Sequence, residues 1–148
     1  MRDPVYALAR VLLPILFVVD GIGQLANVDG LARMLQASMP PLPEQLDVLG
    51  VSRFVILGYL AGVVEIVAGV MVILGSCTRT AAVALAIFTA CTIAFGHQFW
   101  TMEGQFRALN LTQALKNVSI VAGLLMIAAL GAGPYSLDGR RRGGRAAV

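Results

Sequence analysis

RFVILGYLAGVVEIVAGVMVILG, from Arg53 to Gly75, decides the fold. After its leading arginine the stretch carries one charged side chain, Glu65, and it is as long as a helix must be to cross a hydrocarbon layer about 30 Å thick, which takes roughly 20 mostly apolar residues. Three further stretches meet the same test: Val5 to Val28, Thr80 to Phe99 and Leu111 to Gly131. Only helices and closed barrels satisfy every backbone polar group in lipid, and apolar runs of this length are helical. The expected fold is therefore all-α, an antiparallel bundle of four transmembrane helices. The first run is too long for a secretory signal, contains Arg10 and Asp20, and lacks a small-residue cleavage site, so it is read as a retained span.

Composition agrees. Of 148 residues 58% are hydrophobic and 13% charged, about half the charged share of a soluble domain, so the apolar excess calls for lipid. No linker divides the spans, and residues 1–148 read as a single membrane domain. Between the first two spans, Leu31 to Met39 reads as a short amphipathic helix on the outer membrane surface, ended by Pro40, Pro41 and Pro43. It either lids a cavity or merely connects two spans.

Lysine and arginine outside the spans orient the chain. With alternating helices, Arg2, Arg79 and the arginines at 140, 141, 142 and 145 share one side, and Arg33, Arg53 and Arg107 share the other. Six against three places both termini in the cytoplasm, with 139–148 a basic cytoplasmic tail. Beside a span, that tail reads as a topology signal and not as a nucleic-acid site.

Charges within a span cost at least about 2.5–3.5 kcal/mol each on insertion scales, so each should face a partner or a wet cavity. The spans hold Arg10, Asp20, Glu65 and Lys116, with His97 closing the third. At a rise of 1.5 Å per residue, Arg10 lies about 8 Å and Glu65 about 15 Å from the inner boundary, a difference that an arginine side chain covers. Asp20 and Lys116 both fall in the outer half. The expectation is an Arg10–Glu65 ion pair below and, above it, a cluster of Asp20, Gln24, His97, Lys116 and Asn117. Gly58, Gly62 and Gly69 share a face with Glu65, which predicts close helix packing there.

Other chemistry finds little support. Cys77 and Cys91 form neither a CxxC motif nor a disulfide framework. One histidine cannot supply both axial ligands of a bis-histidine haem, and no residues have metal-ligand spacing. Gly21-Ile22-Gly23 lacks the third glycine and the strand of a dinucleotide site. No serine or cysteine has an activating histidine placed by sequence, so no catalytic residue is named.

The pattern resembles the DoxX family of small four-helix membrane proteins over almost the whole chain. The resemblance rests on Arg10 and Asp20-Gly21-Ile22-Gly23-Gln24-Leu25, Glu65 with Gly69 and Leu74-Gly75, Thr78-Arg79, His97, Lys116-Asn117, and the ending Gly131-Ala132-Gly133-Pro134-Tyr135-Ser136-Leu137-Asp138. Many relatives have lysine near the outer end of the first helix, where this chain has Gln24. The resemblance implies an inner-membrane protein, and some relatives are linked to quinone-dependent thiosulfate oxidation or to oxidative stress. Three functions stay open. One is the membrane subunit of a redox system, binding a quinone or similar amphiphile through Asp20, Gln24, Glu65, His97, Lys116 and Asn117, with a soluble redox enzyme as partner. Another is a small-solute or lipid transporter, which would need a homo-oligomer. The third is a scaffold that recruits soluble enzymes to the bilayer.

Overall fold

The computed structural model describes residues 2–48 and 50–140, so residues 141–148, most of the basic tail, lie outside the described part. The described chain is helical without a strand. Its five α-helices are α1 (Arg2–Ala26), α2 (Val28–Ser38), α3 (Arg53–Leu74), α4 (Thr78–Gly96) and α5 (Gly104–Leu130). Four of them, all but α2, are long and apolar enough to cross a membrane. Their limits differ from the hydropathic ones. α5 starts seven residues before Leu111, because hydropathy marks where lipid begins and not where helical hydrogen bonding begins. Val28 belongs to α2, since Asn27 interrupts the chain after α1 and its side chain accepts from the Gly30 amide at 3.2 Å, capping the new helix.

Lipid tails are as apolar as leucine, so these helices associate through close packing and polar contacts more than through hydrophobic burial. α3 packs chiefly on α1, and α5 chiefly on α4. The α3 face that does this is small: Gly58, Gly62, Glu65, Ala68, Gly69 and Val72 are buried at helical steps. A Cβ added to Gly62 would lie 3.0 Å from the Gly21 carbonyl oxygen of α1, and one added to Gly69 would lie 3.3 Å from that of Pro14. Gly58 instead receives Val28 of α2. Phe17, Val72, Ala82, Leu85, Leu124 and Ile127 complete a dry core towards the α3–α4 turn.

That turn end is tied together by side chains. Gly75 adopts φ +70° and Cys77 φ +46°, so the chain reverses within three residues. Asp138 accepts from the amides of Cys77 and Thr78, each at 3.2 Å, and from the Thr78 hydroxyl at 3.3 Å, which caps α4 with a carboxylate from beyond α5. Tyr6 of α1 donates its hydroxyl to the Gly131 carbonyl.

Arg10 belongs to this end too, and the expected Arg10–Glu65 pair is not formed. Its guanidinium, on a residue only 2% exposed, donates to the carbonyls of Val72 at 2.6 Å, Ile73 at 2.9 Å and Tyr135 at 2.7 Å. The last carbonyls of a helix have no intrahelical partner and carry partial negative charge, so they attract a cation as a carboxylate does. They are also nearer the membrane boundary: Glu65 lies seven residues, about 10 Å, further from the end of α3 than Val72. Matching depth alone overlooked the backbone as an acceptor.

Candidate functional site

Glu65 has a different partner. Gln24, near the end of α1, donates its Nε2 to the Glu65 carboxylate at 2.6 Å. Close approach of α1 and α3 through Gly21 and Gly62 brings the two side chains together, because Gln24 lies one turn beyond Gly21 and Glu65 one turn beyond Gly62. Asp20, one turn before Gln24 on α1, is exposed. Gln24 Oε1 is buried and has no hydrogen-bond partner among the described residues. A buried acceptor left this way costs about 1–3 kcal/mol, and a ligand donor can relieve it.

The rest of the expected outer cluster does not assemble. His97 Nδ1 meets Asn110 Oδ1 at 3.3 Å, linking the end of α4 to α5. Lys116 is exposed and makes no ion pair or hydrogen bond among the described residues, and Asn117 is half-buried on the same helix without one. The physical reason is the packing order. α5 rests on α4 and meets α1 sparsely, so the α5 residues at the depth of Asp20 stand across a gap from it.

Instead, Gln24 faces a cavity of about 300 Å³ between α3 and α4, covered by α2. Leu31, Met34 and Leu35 of α2 form its roof, Leu57, Ala61 and Val64 of α3 one wall, and Phe88, Cys91, Thr92 and Phe95 of α4 the other. Its surface is overwhelmingly apolar, and Gln24 and Thr92 bring the amide and hydroxyl groups to its lining. Gln98, just beyond α4, donates to the Ser38 carbonyl at 2.9 Å and so fastens the far end of α2 over the opening. The size and the few polar groups are those of a small-ligand pocket, at the lower end of the usual 300–1,000 Å³ range. Sequence reading missed the walls. One signal was available: Phe88, Cys91 or Thr92, and Phe95 recur at helical spacing on one face of the third span.

A larger cavity, about 610 Å³, lies at the opposite end between Cys77–Thr80 and Leu130–Pro134. It is walled mainly by the turn residues that Asp138 and Tyr6 hold in place. Among the described residues, no group of three or more histidine, cysteine, aspartate or glutamate side chains can hold a metal ion.

Comparison with known proteins fits this architecture. The DoxX family pattern matches residues 5–98, which takes in α1 from Val5 onward, α2 to α4 and every residue of the apolar cavity. The chain belongs to the DoxX family. Over 139 residues this DoxX protein is 29% identical to the inner membrane protein YphA of Escherichia coli (strain K12), covering 94% of the present chain and 91% of that relative. It is 30% identical over 138 residues to the inner membrane protein YqjF of the same organism, covering 93% and 92%. No solved structure matches it.

Proposed function

We propose that this DoxX protein binds a quinone-type amphiphile in the cavity beneath α2, as a membrane component of a redox system linked to oxidative stress. The observation that carries the reading is that Gln24, whose buried Oε1 has no hydrogen-bond partner among the described residues, lines a largely apolar cavity. A head group with a hydroxyl, the reduced form of a quinone, would donate to that oxygen. Gln24 would orient the ring, and Glu65 behind it is a carboxyl able to hold or release a proton. The prenyl tail would leave between α3 and α4, where Leu60 and Val64 are exposed to lipid. When bound, the quinone supplies the electron chemistry; the protein excludes water with Phe88, Phe95 and the α2 roof. Electrons would be exchanged with a soluble redox partner.

The topology proposed with this function is an antiparallel four-helix bundle in the inner membrane, with both termini cytoplasmic and α2 lying at the outer surface. Transport has less support, because Arg10 and Glu65 hold separate partners and Lys116 has none among the described residues.

Cys91 allows a direct test. In a Cys77→Ala background, a short-chain prenyl quinol should slow maleimide labelling of Cys91 by about tenfold at saturation, since a filled site excludes a competitor in proportion to its occupancy. Ala61→Phe should abolish that protection. Labelling unaffected by quinol, together with gentle-detergent preparations that repeatedly contain no quinone, would overturn the reading.

A further inference from the structure

The α1–α5 side of the molecule carries two charges that the fold leaves unmatched. Leu13 of α1 packs on Gly123 of α5, where an added Cβ would come within 2.6 Å of the leucine side chain. Seven residues along each helix, two turns on the same face, stand Asp20 and Lys116. They are level as well as facing the same side. Taking the Tyr6–Gly131 hydrogen bond as a common origin, Asp20 lies about 21 Å and Lys116 about 22 Å along the helices. Both are exposed, and neither joins an ion pair among the described residues.

The two helices meet sparsely, and Gln113, one turn from Lys116 on α5, is exposed. Each charge also sits in an exposed stripe of apolar and small residues. On α1 the stripe runs Leu16, Asp20 and Gly23, with open space around Gly23; on α5 it runs Thr112, Lys116 and Ser119. Small residues permit close approach between helices, and each stripe holds a single charge of opposite sign.

We propose that this face is the interface of a homodimer, in which Asp20 of one copy pairs with Lys116 of the other and Lys116 with Asp20. A two-fold axis along the membrane normal preserves depth, so reciprocal pairing requires the two residues to be level, as they are. The pairing removes two lone charges from lipid in each copy, where an unmatched charge at this depth is costly. A second copy is favoured over a lipid head group because both charges are matched at once by the same surface repeated.

Charge exchange between chains tests this without depending on catalysis. Asp20→Lys and Lys116→Asp, each expressed alone, should lower the dimer fraction in vesicles, read by single-molecule photobleaching, by roughly tenfold in association constant, since each variant juxtaposes two pairs of like charges. Co-expressed with distinct tags, the two variants should form the mixed dimer at near wild-type strength, because both reciprocal pairs are then restored. Recovery in the double variant Asp20→Lys/Lys116→Asp but not in the mixture would show that the residues pair within one chain and would overturn the proposal. Unchanged dimerisation of both single variants, or a monomeric wild-type protein, would overturn it equally.

Discussion

Replacing Arg10 by methionine should destabilise the protein by about 3–4 kcal/mol, and the loss should be independent of Glu65. Arg10 makes three hydrogen bonds to carbonyls, at 2.6, 2.9 and 2.7 Å. Charged hydrogen bonds contribute about 1.5–3 kcal/mol each, which gives roughly 5–9 kcal/mol gross. Against this stands the desolvation of a guanidinium, several kcal/mol, and Arg10 Nε is buried without a partner, so part of that cost is uncompensated. The net is the quoted figure. Arg10→Lys should lose about half of it, because an ammonium keeps the charge but not the fork that reaches α3 and Tyr135 together. The assay is a double-mutant cycle of Arg10→Met with Glu65→Gln, with unfolding measured in mixed micelles. Their coupling should stay below about 0.5 kcal/mol, the level expected of residues that share no partner. A coupling above about 1.5 kcal/mol would restore Glu65 as the partner of Arg10 and refute the assignment. So would a cost of Arg10→Met below about 1 kcal/mol.

Other substitutions probe separate parts of the structure. Gly21→Ala should cost about 1–3 kcal/mol, since its Cβ would meet the Gly62 carbonyl oxygen at 2.7 Å. Gly23→Ala, two residues on in open space, should be neutral or stabilising by up to about 1 kcal/mol; equal effects in thermal unfolding would mean that the α1–α3 contact is misplaced. Asp138→Ala should destabilise by roughly 1–2 kcal/mol through loss of the α4 cap, with faster amide exchange at Cys77 and Thr78 as the local signature. Gln24→Leu should lower stability by about 1–3 kcal/mol in thermal unfolding, because Glu65 loses its donor, and should weaken quinol protection of Cys91, measured below the lowered transition, by about tenfold. Undiminished protection would place the ligand's head group elsewhere.

Hydropathy made the four crossing helices legible because lipid imposes a one-dimensional rule: a helix long enough and apolar enough can cross, whatever its neighbours. Helical phase likewise put Glu65 among Gly58, Gly62 and Gly69, since residues three and four apart share a face in any helix. Other features depended on which helices adjoin. Arg10 and Glu65 match in depth and charge, but the carbonyls ending α3 and the Tyr135 loop compete for the guanidinium. Only the folded chain brings them to it. Asp20 and Lys116 are level, yet the packing of α5 on α4 holds them apart within one copy. The cavity was least visible of all, because a void belongs to no residue; it exists where α2 spans the groove between α3 and α4. The sequence by itself thus determined the number of crossing helices and the small face on α3. Tertiary structure alone decided the polar partners and the binding space, because depth and phase are properties of one helix and contacts are properties of two.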